Sequence, residues 1–411
     1  MPTYYLSPTG SDDADGLSEL NPWCSLTKLS YFPAQPGDVF RLRGGDVFPS
    51  LINWFWKGIQ DVAIRSYGTG RPTIASPENA NALLYAGPGG ITVEGINFRG
   101  NCPTPGYGGL DFRMDAGPCS GIRLLDLDVS GYSMAGIQLT GEWDRSITDT
   151  RIERCRLHHN ANGLYAGGVD GLTVSDTVAN DNDWLGNDPG VTAGYGLAIN
   201  GSHKVLLERC DFDRNGRHTT TAGGHGGVIL SGCTEGVIRY CRARDNGDPL
   251  AQDGGGFYLY GCHDSLLEYS LSERNPGGVV LMHDIYTRPA ERCVVRHHTS
   301  TNDIAGLNLV GTVLDSHVLH SDFTTHSRDG VYRKAFDISN PPEESSYTKR
   351  VRVWGNKFRA EGGAPLLEAV LGLAGVDGLE ANGWDSDDPK FVVRGVNYLT
   401  IDTAVAAGVG V

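Results

Sequence analysis

Seven times between residues 136 and 311 the sequence returns to a glycine followed by a short strand: GIQLTG from Gly136, GLYAGG from Gly163, GLAING from Gly196, GVILSG from Gly227, GFYLYG from Gly256, GVVLMH from Gly278 and GLNLVG from Gly306. The leading glycines stand 27, 33, 31, 29, 22 and 28 residues apart, so the connections vary while the strand does not. A repeat of this period in which each unit contributes one short strand describes stacked coils, each burying its apolar side only against its neighbours. The second and fourth residues of every rung are apolar, from Ile137/Leu139 to Leu307/Leu309. Strand residues alternate between faces, so these side chains point into the coil and the intervening ones outward.

A second series runs in register with the first. ERCRLHHN, SDTVANDN, ERCDFDRN, RYCRARDN and EYSLSERN end on Asn160, Asn182, Asn215, Asn246 and Asn275. Asparagines stacked at a turn hydrogen-bond one another along the coil axis and tolerate unusual backbone angles. The same alignment places Cys155, Thr177, Cys210, Cys241, Ser270, His298 and His317 at one inward position, and Cys233 above Cys262 at another. Nine cysteines form an odd set without CxxC spacing, which reads as buried reduced thiols rather than a disulfide scaffold or a zinc site.

On these strands and turns the chain resembles the right-handed parallel β-helix of the pectate-lyase-like superfamily over roughly residues 80–360. The opening YYLSPTGSDDADGLSELNPWCSLTKL and the following PGDVFRLRGGDVF are similar to the start of bacterial β-helix proteins, where a short amphipathic helix closes the first coil. The resemblance implies an all-β, single-domain solenoid. Residues 1–80 form the N-terminal cap and first coils, 81–360 the parallel β-helix, and 361–411 a C-terminal cap or tail. Asn21-Pro22 reads as the helix start, with Trp23, Leu26 and Leu29 as its covering face.

Composition narrows the partners. A net charge of −15 with no basic patch disfavours nucleic acid and anionic membrane surfaces. No stretch of 18 apolar residues occurs and MPTYYLSPTG is not a leader, so a soluble protein is expected, either cytoplasmic or exported with its leader removed. Metal ligation is not expected, because adjacent histidines such as His297 and His298 face opposite sides of a strand. No cofactor is called for, although Asp12, Asp13 and Asp15 could hold calcium.

A regular coil does no chemistry, so the site must lie where regularity breaks. Only two residues separate Asn160 from the next leading glycine, and two separate Asn275 from its own, whereas 183–195, 216–226 and 247–255 are longer and leave at one corner. Three neighbouring long loops build a wall, and a wall beside a strand face makes a cleft. The expected catalytic set is His225 with Asp253, joined by Asp248 and Asp284. The expected substrate contacts are Tyr165, Trp184, Asp188, Asn200, Arg217, His218, Tyr258, Tyr260 and His283. Tyrosines beside carboxylates suit sugars, rings taking the C–H faces and carboxylates the hydroxyls. GGHGG around His225 is similar to the GHG element of β-helix polygalacturonases, without that family's GDD or RIK-type motifs. The first reading is therefore a glycoside hydrolase or glycosyl transferase acting on an oligo- or polysaccharide. The runner-up is a lyase performing β-elimination on a uronate glycan, and the alternative from another class is a tail-spike-like glycan-binding module. The outward row Ala198, Ile229, Val280, Met282 and Val310 leaves open a monomer or a side-by-side homotrimer.

Overall fold

The computed structural model describes residues 2–55, 58–115, 117–141, 146–183, 194–218, 225–247, 254–284, 288–327, 333–339, 348–370 and 372–408. It comprises two compact units, residues 1–188 with 201–206, and residues 189–200 with 207–411. Each is wound as parallel coils with three strands to a turn. Among the described residues no helix is long and apolar enough to cross a membrane.

In the first unit, Val93, Leu124 and Ile152 stack in the first sheet, Phe98, Val129 and Leu157 in the second, and Leu83, Leu110, Ile137 and Leu164 in the third. All are fully buried. The cap differs in detail from expectation. The helix is Leu26–Tyr31, and Ser25 rather than Asn21 caps it by accepting from Lys28 N. Asp12 fixes that start, its carboxylate accepting from Cys24 N and Ser25 N at 3.0 and 3.1 Å and from the Ser25 hydroxyl at 2.5 Å. Burial works against the charge, but the Ser25 and Cys24 hydrogen bonds outweigh it and hold the carboxyl below the usual range. The acid read as a calcium ligand is thus engaged in building the cap. Trp23, Leu26 and Leu29 are buried as anticipated.

In the second unit, the third sheet stacks Leu197, Val228, Phe257, Val279, Leu307, Phe336, Leu367 and Phe391. Parallel pairing continues through Asp337↔Glu368, Arg352↔Asp377 and Lys357↔Gly383, so residues beyond 360 supply further coil strands. The end is closed by the antiparallel pair Phe391–Val393 and Val396–Tyr398 and the helix Ile401–Gly408. Phe323, Phe358 and Trp384 stack at 5.1 and 4.6 Å beneath it.

The asparagine series behaves as the turn repeat requires. Asn215 N and Nδ2 donate to Asn246 Oδ1, Asn246 N and Nδ2 to Asn275 Oδ1, and Asn275 N and Nδ2 to Asp303 Oδ1, all between 2.7 and 3.0 Å. In the first unit Asn160 bonds Asn182 in the same way. Immediately before each asparagine stands a residue at positive φ, such as Arg214, Asp245 and Arg274 near 55°. The paired glycines are explained by close approach. A Cβ on Gly227 would lie 2.6 Å from Gly256 O, and one on Gly256 would lie 2.9 Å from Gly278 O.

The inward cysteine series needs one correction. Cys155 and Thr177, and separately Cys210, Cys241, Ser270 and His298, are buried as expected, but the next member is Ser321, whose hydroxyl accepts from His298 N. His317 instead pairs with Val294 in the first sheet. The alignment falls short because the true step from His298 to Ser321 is 23 residues, so the position at His317 comes too early in the coil. All nine cysteines are free thiols, seven of them buried.

Candidate active site

In the second unit the connections after Asp211–Asp213 and Arg242–Arg244 lead from the second sheet to the third at one corner. Arg217, Asp245, Gly247, Arg274, Asn275, Asn302, Ile304 and Arg333 line a pocket there of about 200 Å³. Asp245 is gripped at 2.7 Å by both Nε and Nη2 of Arg274. Arg274 above all, with Arg217 and Arg244 adding their charges, holds its carboxyl below the ordinary range despite partial burial. Neighbouring Arg242 and Arg244 are neutralised by Asp211 and Asp213.

The outer face of the third sheet begins at this corner. Its residues run in register as Ala198, Ile229, Tyr258, Val280, Asn308, Asp337 and Glu368. Asp337 and Glu368 sit directly opposite each other on adjacent strands, a spacing of about 4.8 Å. Lys334 Nζ lies between them, 2.8 Å from Asp337 Oδ1 and 3.0 Å from Glu368 Oε2. The Ser339 hydroxyl also donates to Asp337. Burial pulls the Lys334 ammonium toward neutrality, but Asp337 and Glu368 outweigh it and keep its pKa above the ordinary value. Asn308 and Asp337 are 9% and 5% exposed, so most of the surface of this polar row is covered.

The first unit carries its own polar group on the same sheet type. Asp111, buried, takes Asn81 Nδ2 at 2.8 Å and Arg113 Nε at 2.9 Å on one oxygen. Burial drives its carboxyl above the usual range against the pull of Arg113 and Asn81. Tyr165, half-buried, lies in this unit opposite Gln138. A larger pocket of about 480 Å³ between the cap helix and Ile52–Phe55 is lined by Thr27, Ser30, Tyr31, Ser50, Leu51, Asn53 and Phe55, with no acid or base to do chemistry.

The residues singled out from sequence divide sharply. Trp184, Asp188, Asp248 and Asp253 lie outside the described residues. Arg217 and His218 are exposed at the corner, as expected. His225 is buried instead of cleft-facing: its ring lies beside Tyr195, its carbonyl accepts from Gly255 N, and a Cβ on Gly216 would clash with it. Tyr258 is 4% exposed, its ring folded back over Gly255 and its hydroxyl accepting from Gly254 N at 2.8 Å, so it offers no free face for stacking. Tyr260 and Asn200 are half-buried in the adjoining row, beside Met282 and Ser231. Asp284 is not presented to a cleft: its carboxylate closes a turn on Arg288 N and Nε at 2.8 and 2.5 Å. His283 Nδ1 accepts from Thr312 N and packs on Gly311. In the apolar outward row Ala198 and Val280 are already buried within the chain. Among the described residues no cluster of three or more His, Cys, Asp or Glu forms a metal site.

Sequence reasoning missed Asp337, Glu368 and Lys334 because the glycine register was followed only as far as Gly306, and their strands lack a leading glycine. The signal was the alternation in KAFDIS, where Phe336 and Ile338 continue the inward column and place Asp337 outward.

A family model described as a right-handed β-helix region matches residues 116–323, just over half the chain. The chain belongs to the right-handed β-helix family. As a β-helix it is similar in fold to the GH136 lacto-N-biosidase of Eubacterium ramulus, with a TM-score of 0.59, 17% identity, and coverage of 95% of this chain and 68% of that one. It is similar to XylC in complex with xylose, with a TM-score of 0.55, 10% identity, and coverage of 88% and 76%. It also resembles the Dettilon tailspike protein, with a TM-score of 0.52, 12% identity, and coverage of 95% and 70%. No curated protein matches this β-helix chain in sequence.

Proposed function

We propose that the protein is a carbohydrate-active enzyme that cleaves a glycosidic bond against the outer face of the third sheet in its second unit. The observation that carries this reading is the Asp337–Glu368 pair, two carboxylates opposite each other across adjacent strands and bridged by one ammonium. Because one ammonium touches both, their nearest oxygens are no further apart than its two contacts laid end to end. That is shorter than the roughly 6.5–9.5 Å needed to seat a water between acid and base, and it suits the two-step, retaining geometry. In that scheme one carboxylate attacks the anomeric carbon while the other, in its protonated form, gives its proton to the leaving oxygen; water, deprotonated by that second group, then breaks the glycosyl–enzyme ester and restores both. Two of the similar folds are, by name, a lacto-N-biosidase and a xylose complex, which supports a sugar context.

β-Elimination from a uronate asks for a neutral base, and the doubly paired Lys334, held in its charged form, does not supply one. The test is reducing-end release and product mass over a panel of neutral and acidic glycans, with ultraviolet absorbance for unsaturated uronates. Asp337→Asn and Glu368→Gln are each expected to lower turnover by at least about 10³-fold with the coil's circular dichroism retained. Full activity in both variants, or glycan retention by the wild type with no product from any member of the panel, overturns the enzymatic reading.

A further inference from the structure

The core of the second unit holds sulfur that the chemistry just described does not use. Cys210 and Cys241 take the same inward position on successive coils, each followed by a strand that pairs Asp211 with Arg242, and Cys233 and Cys262 do so at another corner, followed by the bridge between Thr234 and His263. Neighbouring strands run about 4.8 Å apart, inside the roughly 4.4–6.8 Å between Cα atoms that a disulfide spans. Each second sulfur leans back toward the coil of its partner, Cys241 Sγ on Leu207 O at 3.6 Å and Cys262 Sγ on Leu230 O at 3.1 Å. A hydrogen bond to the Cys210 thiol, with burial, raises the Cys241 thiol well above its ordinary range, and burial with a hydrogen bond to the Cys233 thiol does the same for Cys262. Cys293, one coil further on, bonds the Cys262 carbonyl at 3.3 Å. In this unit the first position continues beyond Cys241 as Ser270, His298 and Ser321, so sulfur meets sulfur there on one pair of coils. The coils joined by the two pairs, 195–213, 226–244 and 255–273, are the three entered by the long connections 183–195, 216–226 and 247–255.

We propose that Cys210–Cys241 and Cys233–Cys262 are disulfide sites, two rungs that staple these three coils together when the chain meets a small disulfide oxidant such as oxidised glutathione. The chemistry is thiol–disulfide exchange. The thiolate of one cysteine attacks a sulfur of oxidised glutathione and expels one glutathione thiolate; the partner's thiolate then attacks the cysteine sulfur of the mixed disulfide, closing the S–S bond and expelling the second. Each cysteine pair gives up two protons and two electrons, and the oxidant leaves as two molecules of reduced glutathione. Burial decides the timing. With thiols raised and sealed, the closed coils exchange slowly, so the bonds form while the coils are open and are shielded from reductant once they shut. The links close loops of 31 and 29 residues, which removes freedom from the unfolded chain. That constraint falls on the coils whose long connections carry the largest closure entropy. The inference is independent of the carboxylate pair.

The test incubates the whole reduced protein with oxidised glutathione just below its melting temperature, where coils open transiently, then denatures it, alkylates the remaining thiols and maps the unreduced peptides by mass. The expected result is two linked peptide pairs, Cys210 with Cys241 and Cys233 with Cys262, and alkylation of every other cysteine. The melting temperature of the linked protein should rise by a few degrees and fall back after reduction in denaturant. Cys241→Ser, which copies Ser270 at the same ladder position, should lose the first link and keep the second. Glutathione adducts without a link, a link to Cys293, Cys24 or Cys102, or a Cys210 that finds another partner in Cys241→Ser each overturns the pairing. An unchanged melting temperature with both links formed overturns the staple.

Discussion

At the scale of single residues the most informative is Asp303, which occupies an asparagine's place at the end of the ladder. Its Oδ1 receives both nitrogens of Asn275, and its Oδ2 receives the hydroxyls of Ser272 and Ser300 at 2.6 and 2.7 Å. Burial lifts its carboxyl to about 6 in spite of these donors. His298 lies 3.0 Å from Ser272 Oγ, and burial lowers its pKa to about 3, so it stays neutral. The two groups act in opposite senses. Asp303 adds stability below about pH 4 that is lost as the pH rises through 6, whereas His298 contributes stability above its unfolded value that is lost as the pH falls toward 3. Asp303→Asn keeps the Oδ1 acceptor and removes the titration. Denaturant melts from pH 4 to 7 should show the variant gaining on the wild type by up to about 3 kcal/mol as the pH rises. Parallel stability curves would show that Asp303 does not titrate in this range.

At the scale of elements the turns matter more than the strands. Asn246 accepts two bonds from Asn215 and gives two of its own, to Phe212 O and Asn275 Oδ1. Asn246→Ala leaves the two Asn215 donors without their acceptor and takes a donor from Phe212 O and Asn275 Oδ1, and thermal melts should register a loss of about 2–4 kcal/mol. The next corner uses a different device. Tyr240, Tyr269, His297 and His320, at φ between 48° and 56°, stack ring on ring at 5.4, 4.8 and 5.8 Å, with Trp354 edge-on at the end. The faces are spent on each other, which makes this column a clasp rather than a sugar platform. Two ring contacts at about 0.5–1.5 kcal/mol each oppose a left-handed cost of about 1–2 kcal/mol, so Tyr269→Asn should cost no more than about 2 kcal/mol in the same assay. A larger loss would mean that the column, not the backbone, holds the corner. The asparagine ladder was legible because its bonds recur at one alignment position. The aromatic column was not, since Tyr240, Tyr269, His297 and His320 share shape without sharing identity.

At the scale of the whole molecule, the inward columns from Ile137 to Leu309 were readable because alternation with period 2 leaves one solution for which face is buried. The outer face was not. His225 and Tyr258 read as exposed polar or aromatic residues in glycine-rich segments, yet Gly216 leaves room for His225 and Gly255 for the Tyr258 ring, and both side chains are buried. Asp284 read as a cleft acid because its tie to Arg288 is a local turn that periodicity does not encode. The free cysteines carry a last consequence. Burial pushes Cys119, Cys155 and Cys293 up to about 12, so at neutral pH only about one in 10⁵ of each is the nucleophilic thiolate. Cys119 and Cys155 belong to the first unit and Cys293 to the second, while Cys24 and Cys102 remain partly exposed. Alkylation followed by peptide mass analysis should therefore label those two sulfurs first, and the sealed sulfurs only as their own turns of chain come apart. Separate clocks for Cys155 and Cys293 would mean that the halves unwind independently, and a shared clock that they melt as one.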